Sequence, residues 1–158
     1  MVKLADLPEW EREHMLEKIP AMPKFGLHPW VEGPALSRRR VALITSAGIH
    51  KRGDRPFGHG QARNDYRILP ADMNTADIVM SQMSVNYDRT GFQQDINVVF
   101  PIERLKELAA EGYIGSVADF HYSFMGAGSP VTRMETKARE VAQLLKRDNV
   151  DAVVLTPV

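Results

Sequence analysis

Val41-Ala-Leu-Ile-Thr-Ser-Ala-Gly-Ile-His50 is the stretch from which the rest of the chain is read. Val41 to Ile44 is an unbroken apolar run with two β-branched residues, preceded by Arg38-Arg39-Arg40 and followed by Thr45-Ser46-Ala47-Gly48. A short apolar run with such borders fits a strand buried on both faces, as in the interior of a parallel sheet. Small residues and a glycine after it let backbone and ligand approach closely. Ligands of open α/β sheets bind at the carboxyl ends of the strands. Residues 46–57 are therefore the first candidate for a functional edge. Val150-Asp-Ala-Val-Val-Leu-Thr-Pro-Val158 reads as a sister strand.

Working outward, Asp65–Leu69 and Asp77–Met80 are short strand candidates. Pro101 opens a helix whose apolar face is Ile102, Leu105, Leu108 and Ala109, with Gly112 as its C-terminal stop. Ile114–Ala118 leads to a further strand or turn, and His121–Gly128 reads as a second small-residue loop. Ser129 and Pro130 start the last helix, with Val131, Met134, Ala138, Val141, Ala142 and Leu145 as its buried stripe and Asn149 as its exit. Strands alternating with helices predict an α/β domain over residues 39–158. The expected form is a three-layer, mostly parallel sheet flanked by helices, Rossmann- or flavodoxin-like. Residues 1–38 read as a helix capped by Asp6, with Trp10, Met15, Leu16 and Ile19 buried, then a Pro-rich arm anchored by Phe25, Leu27 and Trp30.

Composition narrows the function. Lys plus Arg and Asp plus Glu number 20 each in 158 residues, so neither nucleic acid nor an anionic membrane surface is expected as a partner. No apolar run approaches the ~20 residues of a membrane span, and the N-terminus has no signal-peptide core. A cytoplasmic location is expected. The chain has no cysteine, hence no disulfide and no thiolate of its own. The five histidines form neither H-x-x-x-H nor H-E-x-x-H, so spacing supports no metal site.

His50 and His121 each adjoin a small-residue loop at a presumed strand end, where an acid or base would be placed. Either also fits a structural role. Asp95 and Asn97 stand beside the apolar Val98-Val99-Phe100, a placement that suits fixing a loop or a ligand. Lys51, Arg52 and Arg55 could hold an anion or simply solvate their loop. The helix start at Gly126–Pro130 could bind an anion, which leaves a nucleotide-binding reading open. Ser46 has no assigned base and no G-x-S-x-G elbow surrounds it, which argues against a serine hydrolase.

With these residues collected, the chain resembles the selenoprotein B component of the glycine, sarcosine, betaine and D-proline reductases, in particular its short stand-alone relatives. The matching segments are Arg40–His50, Asp65–Pro70, Asn86–Asp88, Asp95–Ile102, Arg104–Ala109, Phe124–Gly126 and Asp151–Val158. In that family the strand matching Asp151–Val158 runs into a selenocysteine or cysteine motif followed by a helix. The resemblance implies a selenol- or thiol-dependent reductase of a small organic, amino-acid-like substrate. A dithiol or thioredoxin-like protein would be the electron donor, and a homo-oligomer is expected. Candidate catalytic residues are then His50 and His121. Candidate substrate-binding residues are Thr45, Ser46, Asp95, Asn97 and Ser123. No cofactor is expected within the chain itself; selenocysteine or cysteine is expected immediately after Val158. Selenocysteine is encoded by UGA, so reading that codon as stop would give this chain. A natural stop there would give the same sequence. The 158-residue form would then be inactive in redox chemistry. The competing expectation is a non-catalytic α/β binding or dimerisation module.

Overall fold

Val41–Ile44 lies within a strand, as its sequence predicts. The computed structural model describes residues 3–24, 26, 31–58, 64–84, 87–127 and 131–158. In chain order the strands are β1 (Arg40–Thr45), β2 (Ile49–Lys51), β3 (Tyr66–Pro70), β4 (Ile78–Met80), β5 (Ser116–Val117), β6 (Phe120–Phe124) and β7 (Ala152–Thr156). The helices are α1 (Glu9–Lys18), α2 (Thr90–Gln94), α3 (Ile102–Ala110) and α4 (Glu135–Arg147). The chain divides into two compact units, Met1–Val31 and Glu32–Val158.

In the larger unit β1 is central. Along one edge it pairs in parallel with β7, from Val41 opposite Ala152 to Thr45 opposite Thr156. Its other edge is shared by two short parallel strands, β5 beside Arg40 and Val41, and β6 beside Ile44 and Thr45. β3 then pairs antiparallel with β6. β2 and β4 form a separate antiparallel pair. The result is α/β with a mixed sheet, where the sequence suggested a mostly parallel one. β3 shows why: buried Arg67 and Leu69 alternate with exposed Ile68, the period-two pattern of an antiparallel strand. His121–Phe124, read from sequence as loop, is most of β6.

β1 is buried on both faces. Val41 and Leu43 join a core with Ile49, Leu69, Val99, Phe100, Ile102, Leu105 and Ile114, to which α3 contributes. Ile44 packs against Tyr122, Phe124 and Val141 of α4. β7 is far less covered: Val153, Val154 and Leu155 are 37%, 43% and 69% exposed.

α3 and α4 end as the sequence predicts. After α3, Tyr113 N–H bonds to Leu108 O and Gly112 N–H to Ala109 O. After α4, Val150 N–H bonds to Leu145 O and Asn149 N–H to Lys146 O, with Asn149 at φ 53°. Each is a Schellman stop. α4 begins at Glu135, after a 3-10 turn over Val131–Met134, and so later than the start expected at Ser129 and Pro130; those two residues and the proposed arm anchors Phe25, Leu27 and Trp30 lie outside the described residues.

α1 departs from expectation. None of its residues is buried, and Trp10 is the most exposed large apolar side chain of the helix. At about 100° per residue, Trp10 falls on the side opposite Leu16 and Ile19, so no single apolar stripe forms. Asp6 does not cap it; its carboxylate accepts from Lys3 N–H instead.

One charged cluster pins the amino end of β1. The Arg40 guanidinium donates to Asp148 Oδ1, to Asp148 O at 2.7 Å and to Val117 O at 2.8 Å, and pairs with Asp119 at 3.0 Å. The other Asp148 carboxylate oxygen accepts from the Asp119 and Phe120 amides. Asp151 accepts from Arg40 N–H at 2.9 Å. Strands β1, β5 and β6 and the end of α4 are thereby tied at one point.

Candidate functional site

The carboxyl end of β1 is built of small groups. Thr45 Oγ1 accepts from Ala47 N–H at 3.1 Å, turning the chain as it leaves the strand. Gly48 stands at φ 66°, which favours glycine, and a Cβ there would lie 2.7 Å from the terminal methyl of Met125, which would have to move aside. Its N–H bonds Phe124 O and its carbonyl accepts from Ser81 N–H.

Ser46 sits where three strands end. Its N–H donates to Thr156 O at 3.1 Å, and its carbonyl accepts from Gly126 N–H at 3.0 Å and Gln82 Nε2 at 3.2 Å. Its hydroxyl accepts from Val158 N–H at 2.8 Å and donates to Val158 O at 3.3 Å. Arg89 holds Gln82 from behind, through the Gln82 carbonyl at 2.7 Å. A cavity of about 240 Å³ opens here, lined by Ile44, Thr45, Ser46, Phe124, Met134, Leu155, Thr156 and Pro157.

Thr45 is opposite Ser123 on one side and Thr156 on the other, so three hydroxyl residues form a row across β6, β1 and β7. Ser123 Oγ accepts from Ile49 N–H at 2.9 Å, fixing the start of β2. Thr45, Ser46 and Ser123 are thus brought together. His50 is one step away. Its Nδ1 donates to Lys51 O at 3.0 Å, and Nε2 lies 2.8 Å from Ser81 Oγ. The Ser81 amide is the one bound to Gly48.

The remaining candidates lie elsewhere. His121 is fully buried, its Nδ1 accepting from Leu43 N–H at 3.0 Å in the gap between β5 and β6. The ring meets Phe100 edge-on, and Nε2 has no hydrogen-bond partner. Burial lowers its pKa from 6.5 to about 4, so the imidazole is neutral. Asp95 accepts from both the backbone and the side chain of Asn97, which in turn bonds Glu103 at the start of α3. The Asn97 amide, then its side chain, hold the Asp95 carboxyl below the usual range. Among the described residues no group of three His, Asp or Glu side chains could hold a metal ion. Gln82 was missed in the sequence because nothing local marks it. Thr156 carried a signal, since it ends an apolar run just before a proline.

The family model for glycine/sarcosine/betaine reductase selenoprotein B matches residues 8–158. The chain belongs to this selenoprotein B family. It is 37% identical over 117 residues to the D-proline reductase subunit gamma of Acetoanaerobium sticklandii, covering 73% of this chain and 47% of that protein. It is 33% identical over 150 residues to the glycine reductase complex component B subunit gamma of Carboxydothermus hydrogenoformans, covering 91% of this chain and 34% of that one. To the betaine reductase complex component B subunit beta of Peptoclostridium acidaminophilum it is 31% identical over 123 residues, covering 77% and 28%. The chain therefore spans less than half the length of these curated relatives. No solved structure matches it. Among the described residues no helix of this selenoprotein B family member is long and apolar enough to cross a membrane.

Proposed function

We propose that the chain contributes the Ser46 crevice to a selenol- or thiol-dependent reductase acting on a small organic, amino-acid-like molecule. The convergence of β1, β6 and β7 on Ser46, beside a cavity of about 240 Å³, carries this reading. Similar proteins named as subunits of glycine, betaine and D-proline reductases support the reaction class. The reading puts the protein in the cytoplasm, in a multi-subunit assembly with a dithiol or thioredoxin-like electron donor. It also completes the expected three-layer sheet with further elements over β7.

A selenocysteine or cysteine directly after Val158 would supply the nucleophile and redox centre. The residues present fit it: the Val158 backbone is held by Ser46, and Gly126 keeps the approach narrow but free of side chain. Thr45 and Ser123 hold the loop after β1 in shape. His50 is the better placed of the two histidines to move a proton, through the Ser81 hydroxyl beside Gly48. His121, buried and neutral, holds β1. Asp95 and Asn97 serve the start of α3.

The nucleotide sequence after the Val158 codon tests this. An in-frame UGA or cysteine codon followed by coding sequence is expected, and the product of that longer frame should reduce glycine, sarcosine, betaine or D-proline with a dithiol. A UAA or UAG codon overturns the reading. A second reading, a non-catalytic dimerisation module, is favoured by exposed Val153, Val154 and Leu155 on β7. A stable, monodisperse dimer of the 158-residue chain in light scattering would support it; a monomer would set it aside.

A further inference from the structure

We infer that Ser46, in the space left by Gly126, is a positioning residue that fixes the direction in which the backbone leaves β7. Through that direction it sets the reactivity of the residue after Val158, a step that rests on the proposed redox reading.

The argument begins with the ladder between β1 and β7, regular from Val41 and Ala152 to Thr45 and Thr156. Ser46 N–H to Thr156 O is the main-chain bond with which the two segments finish. The Ser46 hydroxyl then takes over, accepting from Val158 N–H and donating to Val158 O. In a continued parallel ladder the Val158 N–H would go to the Ser46 carbonyl, so the Ser46 side chain replaces its own backbone as the partner. The serine is itself held by Gly126 N–H and Gln82 Nε2 on its carbonyl.

A second observation points the same way. A Cβ on Gly126 would lie 3.0 Å from Ser46 Cβ, 3.1 Å from its hydroxyl and 3.1 Å from its carbonyl. A side chain at this position would make Ser46 give way by a few tenths of an ångström and so strain its contacts with Val158. Serine and glycine therefore act as a pair, from different strand ends, on one exit direction.

Amide hydrogen exchange of the 158-residue chain, read residue by residue by NMR, tests the clasp. Ser46→Ala should speed exchange of the Val158 amide about fivefold or more, leaving Leu43 and Thr45 protected. Ser46→Thr, which keeps the hydroxyl, should restore it. Gly126→Ala should act as Ser46→Ala does, and carries the comparison if that variant fails to fold. Unchanged Val158 exchange overturns the clasp. The effect on reactivity is read separately, by appending one cysteine after Val158 and following iodoacetamide alkylation against pH. The thiol's profile should differ from that of a cysteine in the unfolded chain, and Ser46→Ala should move it toward that profile. Identical profiles with and without the hydroxyl overturn the positioning role. Neither measurement depends on what the gene encodes next, so failure of the redox reading and failure of this inference are distinguishable.

Discussion

The two ends of β1 are held by different chemistry. At its amino end Arg40 gathers Asp148, Asp119 and Val117 into a charged knot with low exposure of the Arg40 and Asp148 side chains. At its carboxyl end the contacts are a few hydrogen bonds in which the hydroxyls of Thr45, Ser46 and Ser123 accept from backbone amides, beside a cavity. Strong, convergent charge pairing resists local opening, whereas a few neutral bonds near a cavity leave room for a ligand or a moving segment. The contrast separates the end that stabilises the fold from the end available for chemistry.

The sharpest way to break the comparison is at the charged end. Asp148→Ala takes one carboxylate from Arg40, which keeps Asp119 and two backbone carbonyls, and removes the acceptor of the Asp119 and Phe120 amides; it should cost about 2–3 kcal/mol in urea unfolding. Burial pushes the Asp148 carboxyl up, but Arg40 together with the Phe120 and Asp119 amides outweighs this and holds it below its ordinary range. A depressed carboxylate contributes stability above its unfolded pKa and loses it as pH falls through the folded one. The gap between parent and variant should therefore close in acid.

His121→Leu comes next, because it leaves Leu43 N–H without an acceptor, at a cost of about 2 kcal/mol at neutral pH. Here the folded pKa of about 4 lies below the ordinary 6.5, so the unfolded state binds the proton first. Stability from the neutral ring is complete above 6.5 and falls by about 3 kcal/mol as pH drops toward 4. The stabilities of parent and variant should converge and then cross over that window; a constant gap would remove His121 from the account. The smallest effect belongs to the open strand. Leu155→Gln should change stability by no more than about 0.5 kcal/mol in the same assay, since Leu155 is 69% exposed.

What was legible in the sequence followed from local signals. Val41–Ile44 and Ala152–Leu155 announced strands because each is an unbroken apolar run, and Gly112 and Asn149 announced helix ends because both suit positive φ. The direction of β3 was not legible, since pairing with β6 depends on a chain segment far along the sequence. The same holds for Arg40, whose partner Asp148 is 108 residues away. His121 was placed at a candidate site because its type fits acid–base work. Its role as acceptor for a strand amide shows only once β5 and β6 leave that amide unpaired. Ser46 and Thr45 were found because small polar residues after a buried strand end are a local pattern. Gln82, which joins them through a loop, had none.

Asp151 and Val158 together turn the last stretch of the chain into a gauge. At one end Asp151 receives the Arg40 amide, and at the other Val158 reaches the Ser46 hydroxyl. Both anchors belong to the neighbouring strand, a fixed distance apart. Dropping or adding one residue between them would misplace one anchor and turn Val153 and Leu155 to the opposite side of the sheet. Natural variants of this stretch are therefore expected to exchange side chains readily while conserving its length.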